Sequence, residues 1–362
     1  MQNEVRKQSC KPLYKQIKDI VKKQILTGNW AVGERIPTEK ELSQKFNVSR
    51  FTVRQSLMEL TSEGYLQRQA GRGTFVKSWK DIQEHKRIRS GKKQIDLVLP
   101  YENYAHTGDI IKGVESEAKA LGYRVVFVNS DHAADEWAIL HELYQEGLEG
   151  VIYYFEDVKN AEQNVIRLRE LGFPFVLLDH HLVDITTDYV VSDNFMGAWY
   201  AANHLLELGH RKIGLLFNNR SMSSVVQRAT GYRKALEMAG VPFKKELAIL
   251  KDKKDITDEE IAEVLQLDLT ALFTTDLLAA RVIKTASKMG IEIPKELSVV
   301  GFDDILLSRV LVPALTTIRQ QDEEMGREGV RILVDKIQGS KTLTQRVLST
   351  SLVVRDSTAS LN

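Results

Sequence analysis

Val48–Leu57, VSRFTVRQSL, places two arginines four residues apart with no acidic residue between them. On a helix Arg50 and Arg54 share one face, and like charges so spaced repel by roughly 0.2–0.5 kcal/mol. A helix that keeps such a pair is expected to meet an external anion there. Upstream, in IPTEKELSQKF, Thr38 and Glu41 have the spacing of a capping box, in which each side chain satisfies a backbone donor at a helix start. Leu42 and Phe46 give that short helix its buried face. Asn47 and Val48 allow only a tight connection. Ser49 is a good N-cap for a following helix that runs to about Glu63, with Gly64 beyond its end. Two helices so joined predict a helix-turn-helix.

In the second of these helices Val53, Leu57 and Leu60 form a narrow apolar stripe, with Arg50 and Arg54 along one edge and Phe51 and Gln55 farther out. Leu13, Ile17, Ile20, Val21 and Ile25 follow three- and four-residue spacing, which predicts an earlier amphipathic helix ending near Gly28. Downstream, YLQRQAGRGTFV reads as two short strands joined by AGRG, whose glycines supply the positive φ of a tight hairpin. The result is a winged helix-turn-helix over residues 1–76. Arg50 and Arg54 then meet DNA phosphates or base edges, with Arg72 at the wing tip, because guanidinium groups bind both in bidentate fashion. A basic solvated face is the plain alternative. Phe51 is open between packing on the core and touching a thymine methyl.

The charge distribution agrees with a polyanion partner. Residues 1–94 hold 21 Lys and Arg against 9 Asp and Glu, while the remainder holds 29 against 40. A basic head thus precedes an acidic body. The 362 residues are 43% hydrophobic with 7 prolines, enough apolar content for two or three folded domains rather than a disordered chain. Cys10 is the single cysteine, so no intramolecular disulfide forms. The N-terminus lacks an apolar signal region and no run of about 18 apolar residues occurs, so a cytoplasmic protein with no membrane partner is expected.

Residues 77–94 are polar and basic without apolar periodicity and read as a linker. From residue 95 to 362, short apolar runs alternate with helical segments: IDLVLP, YRVVFVNS, GVIYYFE, FPFVLLD, KIGLLF, TALFTTD and LSVVGFDD. Such alternation predicts α/β architecture with parallel sheets covered on both faces. Ligands bind beyond the carboxyl ends of the strands in these sheets, which singles out Tyr104, His106, Asp179, Asp276, Asp303 and Asp304, with Arg228 near the start of a later helix. Carboxylates and a guanidinium around a cleft suit the hydroxyls of a sugar, which donate and accept. An Asp at a strand end is, taken singly, more often a helix cap than a ligand contact. His180 and His181 are adjacent, so on a strand they point to opposite faces and make no metal pair.

Two resemblances add to this reading. GERIPTEKELSQKFNVSRFTVRQSLMELTSEGYLQRQAGRGTFV resembles the winged-helix head of GntR-family regulators. That resemblance implies DNA contacts at Lys40, Ser49, Arg50, Phe51, Thr52 and Arg54, with the wing at Gly71, Arg72 and Gly73. VVSDNFMGAWYAANHLLELGHRKIGLLF, RATGYRKALEMAGV, IPKELSVVGFDDI and ALTTIRQ resemble the effector domain of LacI/GalR repressors, similar to periplasmic sugar-binding proteins. This implies two lobes joined by three crossovers, near Ser192, Ile318 and Lys341, and ligand contacts at Asp179, Arg228, Asp303 and Gln320. Thr275 stands where that family usually has Asn, and YAHTGD replaces its Asn-Pro-aromatic run. The pairing of head and body resembles AraR-type arabinose repressors, which implies L-arabinose as effector, other pentoses, hexoses or oligosaccharides remaining open.

Other classes of function are weaker. HELYQ at His141 lacks the second histidine of a zinc helix, and GRGTF lacks the third glycine of a dinucleotide fingerprint. No Walker loop or G-x-S-x-G elbow occurs, and no catalytic residue, cofactor or metal is expected. A secreted sugar receptor would fit the body alone but not the basic head. An activator is as compatible with the sequence as a repressor. A homodimer is expected, since winged regulators commonly bind paired half-sites of operator DNA.

Overall fold

The computed structural model describes residues 12–26, 29–69, 71–78, 93–100, 104–130, 136–252 and 255–361, with the side chains of residue 26 and of residues 104–106 outside that description. Two compact units are distinguished, residues 1–93 with 143–148 and residues 94–142 with 149–362. Cys10, Gly28 and most of the expected linker, residues 79–92, lie outside the described residues. Among the described residues no helix is long and apolar enough to cross a membrane.

The head contains α1 (Leu13–Leu26), α2 (Glu39–Phe46) and α3 (Arg50–Ser62), then a hairpin of β1 (Leu66–Gln69) and β2 (Gly73–Val76). The capping box forms as the spacing requires: the Thr38 hydroxyl accepts from Glu41 N, and the Glu41 carboxylate accepts from Thr38 N at 2.7 Å. Asn47 closes α2 in the left-handed region, φ 51°, which Asn tolerates better than most residues. Ser49 caps α3 by accepting from Thr52 N at 3.1 Å. Ile17, Val21, Leu42, Val53, Leu57 and Leu60 close a core with Tyr65 and Val76 beneath the hairpin. Phe46 is only partly buried at its margin. The hairpin pairs Leu66 with Val76 and Gln69 with Gly73, and Gly71 and Gly73 have φ of 73° and 123°.

The body holds two six-stranded sheets. The first contains β3 (Gln94–Leu99), β4 (Arg124–Asn129), β5 (Val151–Tyr153), β6 (Phe175–Leu178), β7 (Tyr189–Ser192) and β13 (Gln345–Leu348), ordered β13-β7-β6-β5-β3-β4 and parallel throughout. The second contains β8 (Ile213–Phe217), β9 (Ala248–Leu250), β10 (Ala271–Thr274), β11 (Ser298–Asp303), β12 (Thr316–Arg319) and β14 (Ser351–Val353). Its order is β14-β12-β11-β10-β8-β9, with β14 alone antiparallel. The central strands β5, β8 and β10 are buried at every position, as continuous apolar runs in a covered parallel sheet should be.

Helices α4 (Tyr104–Ala120), α5 (Glu136–Glu146) and α6 (Val158–Glu170) connect strands of the first lobe. In the second, α7 (Asn194–Glu207) and α8 (Ser223–Met238) pack together, and α9 (Asp258–Leu265), α10 (Asp276–Met289) and the short α11 (Leu306–Val310) follow. The last helix, α12 (Asp322–Ile337), returns to pack on α4 in the first lobe. The chain therefore changes lobe three times: between β7 and α7, between β12 and α12, and between β13 and β14. The first two changes fall where the resemblance implied. The third does not fall at Lys341, because Gln345–Leu348 still pairs with β7 of the first sheet, and it lies instead at residues 349–350.

Candidate DNA-binding helix and ligand cleft

In the head, α3 turns its apolar stripe inward and leaves Arg50, Phe51 and Arg54 exposed. Phe51 is 75% exposed, which removes the alternative that it packs on the core. Ser49 and Thr52 share a hydroxyl contact of 2.8 Å that belongs to the cap, and Lys40 is exposed on α2. Arg72 is exposed at the hairpin turn beside Gly71, and a Cβ on Gly73 would come within 2.7 Å of Arg35 Nε. One expectation needs correction. Arg54 is not left to an external anion alone, because its Nε donates to Glu39 Oε2 at 3.2 Å. Glu39 lies on α2, fifteen residues upstream, beyond the reach of a search along one helix.

In the body, Asp303 and Gln320, at the carboxyl ends of β11 and β12, meet Arg228 of α8, while Asp179 follows β6 in the other lobe. Arg228 is buried on α8. Its Nε donates to Asn194 Oδ1 at 2.8 Å, its Nη2 lies 3.7 Å from Asp303 Oδ1, and its guanidinium stacks 3.7 Å from the centroid of the Phe302 ring. Gln320 Nε2 donates to Asp303 Oδ1 at 2.9 Å. From the other lobe, Tyr154 Oη donates to Asp179 Oδ2 at 3.0 Å, and His180 Nε2 lies 3.1 Å from the same oxygen. Burial first, then the charges of Asp179, Glu156 and Asp303, holds the Tyr154 hydroxyl protonated well above its usual range. His181 N also donates across the cleft to Ser223 Oγ, at 3.1 Å.

Backbone conformation marks the same place. Among the described residues five non-glycine residues have positive φ, and three of them are Asp179, Asp303 and Asp304. Such conformations cost about 1–3 kcal/mol each and persist where the surroundings enforce them. A cavity of about 410 Å³ is lined by Asp303, Asp304, Gln320 and Arg319, with Asp109, Asp322 and Glu323 facing from the first lobe; Asp179 and Arg228 are not among its lining residues. That volume is within the range of roughly 300–1,000 Å³ typical of small-molecule sites.

Asp276 departs from expectation. It is fully buried, and its two oxygens accept from Thr317 Oγ1, Ser308 Oγ and Ile305 N inside the second lobe. Burial and the nearby Asp303 charge raise its pKa, and its hydrogen bonds tie α10 to β12 and α11. Tyr104 and His106 open α4, but their side chains lie outside the described residues. Tyr154, Asn194 and Phe302 escaped the sequence reading. Tyr154 directly follows β5 within the run GVIYYFE, so the strand-end rule could have found it; Asn194 and Phe302 act through Arg228, whose position depends on the packing of α8.

Residues 13–76 match the sequence model of the gntR family of bacterial regulatory proteins, and residues 202–358 match that of the periplasmic binding protein-like domain. An arabinose metabolism transcriptional repressor of Geobacillus stearothermophilus is 30% identical over 97% of this chain and 99% of its own length. A second repressor of that description, from Halalkalibacterium halodurans, is 28% identical over 96% of each. Among solved structures, a LacI family transcriptional regulator from Enterococcus faecium with bound ribose is 28% identical, with a TM-score of 0.65 over 75% of this chain and 100% of its own. These relatives are transcriptional regulators, not enzymes. The chain thus belongs to the family of sugar-responsive transcriptional repressors that join a GntR-type winged head to a LacI-type, periplasmic-binding-protein-like body.

Proposed function

We propose that the chain represses carbohydrate-utilisation genes in the cytoplasm, binding a two-fold operator as a homodimer and releasing it when L-arabinose enters the body. Lys40, Ser49, Arg50, Phe51, Thr52, Arg54, Arg72 and Gly73 would face the DNA. Asp179, Arg228, Asp303 and Gln320 would hold the sugar. The observation that carries this reading is the chain of contacts Gln320–Asp303–Arg228 in one lobe, with Asp179 held by Tyr154 in the other. Such a site offers fixed donors and acceptors to adjacent hydroxyls, and it leaves buried polar groups unpaired when the wrong ligand enters. L-arabinose is favoured because two arabinose repressors match the chain almost from end to end. The ribose in the Enterococcus structure supports a pentose in a body of this kind.

Calorimetry on the full chain with L-arabinose, D-ribose, D-glucose and cellobiose tests the proposal. L-arabinose should bind most tightly. Arg228→Ala should weaken that binding by about 1–3 kcal/mol, the cost of leaving a buried partner unsatisfied. Preferred binding of another of these sugars would replace the effector, whereas wild-type affinity in Arg228→Ala would move the pocket.

A further inference from the structure

Helix α7 carries Tyr200, Asn203, His204 and Glu207 at the spacing that places residues on a single helix flank. That flank faces Thr350 and Leu352, where the chain completes its third change of lobe and enters β14. Between them lies a second cavity, of about 390 Å³, apart from the cluster of Arg228 and Asp303. Its lining is one-sided in charge. Among the described residues no lysine or arginine borders it, and Glu207 makes no ion pair. Asn203 Nδ2 donates to Glu207 Oε1 at 2.6 Å, which orients the carboxylate and leaves Oε2 to a ligand. His204 Nε2 lies 3.0 Å from Thr358 Oγ1, and burial lowers its pKa, so at neutral pH it adds no positive charge. The Tyr200 ring stands edge-on to Trp199 with centroids 5.6 Å apart, and Leu352 adds an apolar wall.

A carboxylate beside an aromatic ring suits an ammonium group, which is drawn both to the charge and to the face of the ring. An anion would meet Glu207 with no counter-charge. The place also gives an occupant leverage. Asp193 N donates to Leu348 O at 2.7 Å, and Thr350 Oγ1 donates to Asp193 O at 3.3 Å, so the first and third crossovers are tied together at the cavity wall. A molecule lodged between α7 and Thr350 therefore touches segments that must turn when the lobes move. We propose that this cavity is a second small-molecule site, for an organic ammonium ion with an apolar body, and that its occupant changes the affinity of the body for sugar. The coupling, though not the site, rests on the reading of the body as a sugar receptor.

The test titrates the full chain by calorimetry with phenethylamine, phenethyl alcohol and phenylacetate, which share a ring and differ in charge. The amine should bind about tenfold more tightly than either of the others. Glu207→Gln should weaken the amine by about tenfold and leave the alcohol unchanged. Tyr200→Leu should weaken the amine as well. Glu170→Gln removes the same charge from an exposed residue outside the cavity and should change nothing. L-arabinose is then titrated with and without saturating amine. Its dissociation constant should shift by about fivefold or more, and that of the amine by the same factor when the order is reversed. No binding of the amine, equal binding of the three probes, or amine binding that survives Glu207→Gln would overturn the site, and an unshifted sugar affinity would overturn the coupling. If neither L-arabinose nor the other sugars bind without amine, the sugar reading falls and the coupling with it, while the amine titrations still decide the site.

Discussion

In GFDD both aspartates have positive φ, 124° at Asp303 and 55° at Asp304, yet their carboxylates serve different partners. Asp303 faces Arg228 and Gln320, whereas Asp304 accepts from Arg319 Nε at 2.7 Å and Arg355 Nη2 at 2.5 Å, with Arg309 at 3.5 Å. Burial raises the Asp304 pKa, but the hydrogen bonds and charges of Arg355 and Arg319 outweigh it and hold the carboxyl below its usual range. Removing one member of a buried ion pair costs about 3–5 kcal/mol. Arg319 and Arg309 are half exposed and can turn to water, so Asp304→Asn should cost about 3 kcal/mol at neutral pH, the lower end of that range. The sign with pH follows from the depressed pKa. The contribution is complete above the unfolded value of about 4 and is lost as pH falls through the folded value. Urea unfolding of wild type and Asp304→Asn from pH 7 to pH 3 should therefore show two stabilities that converge in acid; a constant gap would refute the assignment. The sequence marked both aspartates as strand-end candidates. Their division was not legible, because it depends on Arg319 and Arg355, 15 and 51 residues away from Asp304.

Helices α7 and α8 touch through glycine. A Cβ on Gly231 would overlap the backbone oxygen of Phe195, and one on Gly197 would come within 2.8 Å of the Phe302 ring. Alanine favours a helix interior over glycine by about 1 kcal/mol. Overpacking costs about 1–3 kcal/mol, and backbone oxygen cannot move aside as a side chain can. Gly231→Ala should therefore lower the melting temperature by several degrees despite its better propensity. Because Gly231 lies three residues beyond Arg228 on α8, the same variant should also weaken sugar binding in calorimetry. Unchanged melting and affinity would show that the two helices adjust freely. The capped helices α2 and α3 were legible because their signals are local: Thr38 with Glu41, then Ser49 before an apolar stripe. Strands β9, β13 and β14 were not, being three or four residues long and without buried runs, so only their neighbours reveal them.

The basic head and acidic body are read directly from composition, and the central strands from their apolar runs. The lobe crossings depend on long-range pairing, which explains why the third was displaced from Lys341 to residues 349–350. Linkage between the proposed sites makes a demand on the full chain. If L-arabinose weakens operator binding by some factor, operator must weaken L-arabinose binding by the same factor, typically about 5- to 150-fold. Calorimetry of the sugar with and without saturating operator duplex should show that loss, and equal affinities would mean that the sites are uncoupled. The late return of the chain to the first lobe bears on synthesis. That lobe begins at Gln94, yet its helix α12 and strand β13 come from Asp322–Ile337 and Gln345–Leu348, after all but one strand of the second lobe. A ribosome must therefore translate nearly the whole message before β7 gains its outer neighbour. A product that stops after Thr344 carries the head entire but leaves each sheet short of a strand. Prematurely terminated chains are thus expected to occupy operator DNA without being able to answer the sugar.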